Sequence, residues 1–342
     1  MQIDRLLFPG YRKTQINQPV FIVGNARSGT TLFQRLLCGD EERFVYFRGW
    51  EVLFPSLIQK KSIRALSIII TKVTPQFARW LAEWEEKQFQ EIKKIRPTGW
   101  DKPEEDEFLL LISFASSVLN VLFPYSEPLN YLNSFDQRPA KTRKGIMRFY
   151  RECVLRQLYF HGSTRTLVSK NPAFITKMRS LAEEFPDAKF VYTMRNPFET
   201  IPSLLKLMST TWEQIGIRSS HADNSIHEFA RGSIRDYNNA MEMLAELPDD
   251  RYAIVEYTDL TADPKATVEK VYQKLNLSIS PKFRRKLGNE RKRQKRFQSF
   301  NIYSLEEFGL SEDYINEGLS GIMDRFGYRL DDVSANEAKE ML

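Results

Sequence analysis

Cysteine and histidine are both scarce in this chain, which has two cysteines and three histidines among 342 residues. Cys38 and Cys153 cannot build a disulfide framework, and neither has a CxxC partner or the spacing of metal ligands. We therefore expect a reducing, cytoplasmic location, and we predict no metal site.

Long apolar runs are also missing. The first residues, MQIDRLLFPGYRK, lack the hydrophobic stretch of a signal peptide, so none is predicted. The longest apolar run covers residues 108–123 and contains three serines and an asparagine. It is too short and too polar to span a membrane, and it predicts a buried helix instead.

The composition is that of a folded protein with an excess of basic residues. Hydrophobic residues make up 42% of the chain, enough for one large α/β domain or a domain with an insertion. The formal net charge is +6, which favours anionic partners such as a nucleotide, a nucleic acid or an acidic membrane surface.

Residues 24–31, GNARSGTT, form a glycine-bounded loop between a short apolar run and a helical pattern. Their G-x-x-x-x-G spacing, with Thr31 at the Ser/Thr position, is that of a phosphate-binding P-loop, but Thr30 replaces the P-loop lysine. Backbone amides and the helix N-terminus favour an anion, and Arg27 supplies the positive charge. The alternative is a glycine turn that binds no ligand.

Strand-like runs alternate with helical patterns along the chain. Such alternation predicts βαβ units and a mostly parallel sheet. We predict one domain, residues 1–342, folded as a three-layer α/β sandwich with a helical insertion at about 55–160. The runs predicted as strands cover residues 20–23, 44–47, 166–170, 189–194 and 252–257.

Polar side chains follow four of these runs. Arg27 lies in the loop after the first, Glu51 follows the second, Lys170 ends the third, and Arg195 follows the fourth. Ligands of parallel α/β sheets bind beyond the carboxyl ends of the strands. The three cations together predict a pocket for a doubly anionic ligand or for one anion in transfer.

Several segments together resemble the sulfotransferase family in order and spacing over roughly residues 19–328. They are RSGTT at 27–31, SKNP at 169–172, FPDAKF at 185–190 leading to RNP at 195–197, Ser203, and EYTDL at 256–260 followed by Asp263 and Pro264. The resemblance implies a P-loop-like fold and sulfuryl transfer from 3′-phosphoadenosine 5′-phosphosulfate, leaving adenosine 3′,5′-bisphosphate. The family often has Glu where this chain has Thr258.

The same resemblance implies the roles of the donor-binding residues. Arg27, Ser28, Gly29, Thr30 and Thr31 would hold the 5′-phosphosulfate. Arg195 and Ser203 would hold the 3′-phosphate, and Tyr257 would lie near the adenine. Such a transfer needs fixed cations and tight positioning, so no metal is required.

Lys170 and Glu51 are the predicted catalytic residues, with Lys170 near the bridging oxygen and Glu51 as the general base. Glu51 follows a tryptophan after the second strand-like run, as the base does in the tyrosylprotein-type branch of the family. A structural ion pair of Glu51 with Arg48 or Arg27 is the alternative, and His221 is the second candidate base. His161 and His227 are predicted to be structural or surface residues.

The basic segment at residues 284–296 contains eight Lys or Arg. Without interleaved aromatic residues it is a poor candidate for a nucleic-acid patch, and we predict no nucleic-acid partner. In related sulfotransferases a basic segment in this part of the chain closes over the nucleotide. The residues that could do so here are Arg291, Arg293, Lys295 and Arg296.

The acceptor is predicted to be a hydroxyl compound, specifically an apolar or lipid-like alcohol. Phe77, Trp80, Trp84, Trp100 and the run after Phe108 could line an apolar pocket, although core packing explains them equally well. The basic amphipathic stretch at residues 60–72 could also rest on an anionic membrane. The oligomeric state is not predicted.

Two other function classes stay open at this point. A P-loop nucleotide kinase would need a phosphate-binding lysine and an Asp for Mg²⁺, and Thr30 occupies the lysine position. A non-catalytic protein that binds a nucleotide or nucleic acid would carry the same loop.

Overall fold

In the computed structural model of this chain, five parallel strands form one sheet in the order β2-β3-β1-β4-β5. The structure describes residues 1–95, 99–124, 127–162, 164–217, 220–294 and 305–330. All five predicted strands are present, and the second is shorter than predicted. The strands are β1 (Val20–Gly24), β2 (Phe44–Val45), β3 (Thr166–Lys170), β4 (Lys189–Met194) and β5 (Tyr252–Glu256).

Strand β1 is the middle strand of the sheet, and every one of its residues is buried. Its alternate side chains enter different layers, as the two-residue period of a strand requires. Phe21 and Val23 pack into one hydrophobic cluster, and Val20 and Ile22 pack into another. The sheet is therefore covered on both faces, which confirms the predicted three-layer α/β arrangement.

Helices form the outer layers, and their bounds in the described residues are as follows. They are α1 (Gln2–Leu7), α2 (Thr30–Leu37), α3 (Gly49–Leu53), α4 (Leu57–Val73), α5 (Pro75–Ile95), α6 (Val118–Leu122), α7 (Ala140–His161), α8 (Met178–Glu184), α9 (Pro197–Gln214), α10 (Ser220–Ala245), α11 (Tyr257–Ala262), α12 (Pro264–Lys274), α13 (Pro281–Gln294) and α14 (Glu312–Phe326). Buried side chains of α2, α12 and α13 pack on one face, and those of α7, α8, α9, α10 and α14 on the other.

The prediction of one buried helix over residues 108–123 is wrong. A 3₁₀ helix, Asp106–Ser113, ends at Phe114 in a left-handed conformation with φ of 51°, and the short α6 follows. Glu107 is buried and accepts hydrogen bonds from Ser116 Oγ at 2.9 Å and Ser117 N at 2.7 Å. The serines thus close a turn around a buried carboxylate, which interrupts the helix.

The first residues anchor the base of α4. Asp4 is fully buried and accepts hydrogen bonds from Leu57 N at 3.0 Å and Ile58 N at 3.1 Å, at the N-terminus of α4. Arg156 Nε, from α7, donates to the same carboxylate at 2.8 Å. An acidic group at this position satisfies amides that have no partner within the helix and complements the helix dipole.

Candidate functional site

The loop between β1 and α2 has a backbone that glycine makes possible. Gly29 has a φ of 93° and Arg27 one of 72°. A Cβ at Gly24 would lie 2.3 Å from Thr193 Oγ1, so the loop can approach β4 closely only without a side chain there. Helix α2 begins at Thr30, and its first-turn amides, including that of Thr31, have no partner within the helix.

Three side chains that sequence reasoning did not single out hold this loop in place. Asn25 Oδ1 accepts a hydrogen bond from Tyr192 OH at 2.8 Å, and Asn25 Nδ2 donates to the carbonyl of Ser233 at 2.9 Å. Thr193 Oγ1 lies 2.7 Å from Ser28 Oγ. The hydroxyl of Ser28 is thus used inside the protein, and its amide donates to the carbonyl of Asn25 at 3.1 Å, so the amides after Ser28 are what the loop offers a ligand.

Four of the predicted donor-binding residues contact one another. Arg195 Nη1 donates to the carbonyl of Arg27 at 3.2 Å, and Arg27 Nε donates to Ser203 Oγ at 3.1 Å. The guanidinium of Arg195 lies over the ring of Tyr257, 4.2 Å from its centroid. The same ring fills the space beside Gly29, where a Cβ would lie 2.7 Å from Tyr257 Cδ2.

This arrangement fits an anionic ligand such as a nucleotide phosphosulfate. Two guanidinium groups stand beside a glycine loop and a helix N-terminus, and both of those favour negative charge. Glu199 pairs with Arg195 in the structure, so one carboxylate offsets part of the positive charge. No group of three or more His, Cys, Asp or Glu that could hold a metal ion occurs in the residues that the structure describes.

Lys170, at the end of β3, pairs with a carboxylate that sequence reasoning missed. Its Nζ lies 2.6 Å from Glu105 Oε1. Lys170 is nearly buried, with 3% of its side chain exposed, whereas 21% of the Glu105 side chain is exposed. A lysine and a partly exposed carboxylate therefore stand together at the carboxyl edge of the sheet, one strand away from the anion loop.

The residues on either side of Lys170 explain why Glu105 lies there. The adjacent Asp106 is buried and accepts a hydrogen bond from Ser169 Oγ at 2.7 Å, and burial raises the pKa of that carboxyl. Asn171 Oδ1 accepts from the amide of Glu107 at 3.2 Å. These bonds join residues 105–107 to the end of β3. The run of four acidic residues at 104–107 is the signal in the sequence that could have located this carboxylate.

Glu51 occupies a different environment, a fully buried polar cluster. Its Oε2 accepts from Arg48 N at 2.9 Å and from Gln157 Nε2 at 2.8 Å, and its Oε1 lies 2.5 Å from His161 Nε2. The partners are therefore an amide, a glutamine and a histidine rather than the side chain of Arg48 or Arg27. His161 has the structural position that the sequence predicts.

Lys60 completes the cluster from α4. Its side chain is fully buried, and its Nζ donates to Gln157 Oε1. Burial lowers the pKa of Lys60 to about 8, against the opposing effect of Glu51. Burial also opposes ionisation of Glu51, but the hydrogen bond from His161 and the charge of Lys60 bring the pKa of that carboxyl below its usual value.

The aromatic residues proposed for an acceptor pocket are mostly on the surface. Phe77, Trp80 and Trp84 are exposed on α5, so neither core packing nor a closed pocket accounts for them. Trp100 is half-buried, and its amide donates to Glu85 Oε1 at 2.8 Å. The 3₁₀ helix after Glu105 also exposes Ile112.

Some predicted residues cannot be compared with the structure. Arg291 and Arg293 belong to α13, but their side chains lie outside the described residues, as do Lys295 and Arg296 entirely. His221 belongs to α10, and its side chain also lies outside them.

Comparisons with known proteins agree on one family. The sequence model of a family described as the sulfotransferase family matches residues 19–281. Two proteins named omega-hydroxy-beta-dihydromenaquinone-9 sulfotransferase Stf3, from Mycobacterium bovis and Mycobacterium tuberculosis, are each 26% identical over 322 residues. The match covers 91% of this chain and 75% of each relative.

Two solved structures share the fold. Sulfotransferase STF9 from Mycobacterium avium superposes with a TM-score of 0.74 at 16% identity, covering 96% of this chain and 82% of that chain. Sulfotransferase STF1 from Mycobacterium tuberculosis H37Rv superposes with a TM-score of 0.70 at 21% identity, covering 94% of this chain and 81% of that chain.

Proposed function

Because this chain belongs to the sulfotransferase family, we propose that it transfers a sulfuryl group from 3′-phosphoadenosine 5′-phosphosulfate to the hydroxyl of an apolar, lipid-like alcohol. The observation that carries the proposal is the contact cluster of Arg27, Arg195, Ser203 and Tyr257 beside the glycine loop. Two cations, a hydroxyl and an aromatic ring in one place match a ligand with two anionic ends and a base.

The donor would be held by the loop and by this cluster. The amides of residues 29–31 and Arg27 would bind the 5′-phosphosulfate, Arg195 and Ser203 would bind the 3′-phosphate, and Tyr257 would lie near the adenine. When bound, the donor supplies an activated sulfuryl group. The amides and the cation of Arg27 would stabilise negative charge on it without reorganisation, which is where much of the rate enhancement of such enzymes arises.

Lys170 would stabilise the negative charge of the leaving group, and a carboxylate would take the proton of the acceptor. Lys170 Nζ would stabilise the leaving phosphate oxygen, and a carboxylate oxygen would accept the proton of the acceptor hydroxyl. Glu51 is the base that the sequence predicts. Glu105 is favoured by two observations, its contact with Lys170 and its exposure, whereas Glu51 has no exposed surface. We therefore propose Glu105 as the base, with Glu51 as the alternative.

A lipid-like acceptor is supported by the relatives and by the surface. The two curated relatives are named for a hydroxylated menaquinone derivative. In this chain Ile112 and Phe114, shortly after Glu105, are 60% and 70% exposed. Apolar side chains near the proposed base suit an acceptor with an apolar body.

Ligand-dependent thermal unfolding tests the donor. Adenosine 3′,5′-bisphosphate at 100 times its dissociation constant should stabilise the protein by about 2.7 kcal/mol, and ATP or AMP at the same concentration should do so far less. Stabilisation by ATP only with Mg²⁺ would favour a nucleotide kinase instead. Turnover of long-chain alcohols, set against sugars and peptides in the same assay, tests the acceptor class. Sulfation of sugars or peptides alone would contradict it.

A further inference from the structure

Helices α4 and α5 form a hairpin whose apolar side chains face outward. Thr74 is the single residue between the two helices. Leu66, Ile69 and Val73 recur on α4 at spacings of three and four residues, and all three are exposed. Such spacing puts them on one side of the helix.

Helix α5 continues the same pattern. Phe77, Trp80, Leu81 and Trp84 are exposed, and the rings of Phe77 and Trp80 stack with centroids 5.4 Å apart. More than half of the Trp80 surface is accessible, at 54%, and 72% of Val73 is accessible. Water alone is a poor environment for these side chains, and contiguous exposed apolar surface commonly marks an interaction site. We call this surface the hairpin face, comprising residues 66, 69, 73, 77, 80, 81 and 84.

The charge at the turn end of the hairpin face is positive, and acidic residues begin at the far end of the face, where Glu83 and Glu85 flank Trp84. Residues 52–82 contain no Asp or Glu, but they contain Lys60, Lys61, Arg64, Lys72 and Arg79. Lys60 is buried, and the other four are exposed. Lys61 and Arg64 stand over aromatic rings near the base of the hairpin, while Lys72 and Arg79 lie on either side of Thr74.

We propose that the hairpin face docks on an anionic lipid bilayer. An apolar side rich in Trp and Phe, bordered by Lys and Arg, is the composition of a helix that lies in a membrane interface. A symmetric contact between two copies would place Lys72 and Arg79 of one copy against either the same residues or Glu83 of the other, whereas an anionic bilayer attracts all four exposed cations. The four exposed cations therefore favour an anionic bilayer, and self-association through the hairpin face is the outcome that would overturn the proposal.

The hairpin lies on the surface of a bilayer rather than crossing it. Among the residues that the structure describes, no helix is long and apolar enough to span a membrane. Binding then depends on burying the apolar side chains at the headgroup level and on attraction to anionic lipids.

The base of the hairpin is built into the elements that carry the candidate site. Lys60 of α4 contacts Gln157, which binds Glu51, and Glu85 of α5 binds the amide of Trp100, whose carbonyl accepts from Trp50 N. Docking would hold these elements at the lipid surface. The advantage of that position for sulfuryl transfer depends on the proposed function, but docking itself requires no reaction.

Flotation with lipid vesicles tests the proposal on the full-length protein. The protein should float with vesicles of phosphatidylcholine and phosphatidylglycerol, and much less with phosphatidylcholine alone or at high salt. Each basic side chain near an anionic surface favours binding by about fivefold. A Lys72→Gln/Arg79→Gln variant should therefore bind about 25-fold more weakly, and the matched Lys141→Gln/Lys144→Gln variant at the exposed start of α7 should not.

A second pair of variants tests the apolar part. Ile69→Asp on the hairpin face should weaken vesicle binding by about tenfold or more, because it removes apolar contact and adds repulsion. Ile215→Asp is the matched control, since Ile215 is 52% exposed and Ile69 is 55% exposed. Equal thermal midpoints would show that both variants fold.

Tryptophan fluorescence gives an independent measurement. Vesicles with brominated acyl chains should quench the emission of the protein, and a Trp80→Phe/Trp84→Phe variant should lose most of that quenching. No flotation on anionic vesicles, equal binding of hairpin and control variants, or self-association abolished by Ile69→Asp would each overturn the proposal. If the wild-type protein floats with vesicles but has no sulfotransferase activity, the proposed function is contradicted and the docking proposal stands.

Discussion

Replacing Glu105 by glutamine separates the two candidate bases. The substitution keeps the shape of the side chain, and its amide oxygen can still accept a hydrogen bond from Lys170 Nζ, which lies 2.6 Å away in the structure. The amide cannot take up the acceptor proton. A positioned general base contributes about 10²–10⁴-fold, so kcat should fall by that factor, equivalent to roughly 3–5 kcal/mol in the activation free energy.

Donor binding should survive the same change. The proposed donor contacts are made by the loop, Arg27 and Arg195, whereas Glu105 pairs with Lys170 on a different strand. The dissociation constant of adenosine 3′,5′-bisphosphate, measured by calorimetry, should therefore change less than about threefold, equivalent to roughly 0.7 kcal/mol. A loss of both kcat and nucleotide binding would indicate a structural role for Glu105 and contradict its assignment as the base.

Glu51→Gln is the matched variant. Glu51 is fully buried and accepts three hydrogen bonds, so the change should lower the free energy of unfolding by about 1–3 kcal/mol, measured in urea. Initial rates below the unfolding transition should stay within about one order of magnitude of wild type. The reasoning from exposure is refuted if Glu51→Gln loses 10²-fold or more in kcat while Glu105→Gln does not.

Two further predictions concern stability. Gly29→Ala should weaken bisphosphate binding and lower the free energy of unfolding by about 1–3 kcal/mol, because φ is 93° and the new Cβ would lie 2.7 Å from Tyr257. Gly321→Ala is the control at an open site in α14, and it should be neutral or stabilising in the same bisphosphate and urea titrations. Burial raises the pKa of Asp236 to about 7, so its contribution to stability is complete below its unfolded pKa of 3.8 and is lost as the pH rises through 7. Relative to wild type, Asp236→Asn should gain up to about 4 kcal/mol in urea unfolding between pH 4 and 8, and a difference independent of pH would contradict this.

The contacts among the proposed nucleotide-binding residues could be predicted from the sequence because these residues follow strands. The run before GNARSGTT and the run before Arg195 are both apolar and buried, so their position in a parallel sheet follows from pattern alone. Residues that follow neighbouring strands must then meet at one edge. The contact between Arg27 and Arg195 is the result.

The acceptor side could not be predicted in this way. The position of Glu105 depends on hydrogen bonds that its neighbours Asp106 and Glu107 make with Ser169 and Asn171, more than sixty residues later. The burial of Glu51 likewise depends on side chains from α4 and α7. Local patterns carry no information about such contacts.

Helical periodicity also left open what covers an apolar face. The pattern over residues 66–84 is equally compatible with a core, a pocket or a lipid surface, because all three place apolar residues on one side of a helix. Only exposure in the folded chain distinguishes them. The prediction of one helix after Phe108 failed for a different reason. Ser116 and Ser117 donate hydrogen bonds to the buried Glu107, and the turn that they form interrupts the helix.

The distance from the proposed base to the exposed apolar residues sets a minimum length for the apolar part of the acceptor. The 3₁₀ helix that begins at Asp106, next to Glu105, rises about 2 Å per residue, so Ile112 lies roughly 12 Å along it. An acceptor whose hydroxyl is at Glu105 therefore needs an apolar body of about that length to reach Ile112 and Phe114. A lipid-like alcohol can make both contacts at once. A small sugar would leave the exposed apolar residues without a partner, which is why the position of the base itself favours a long acceptor.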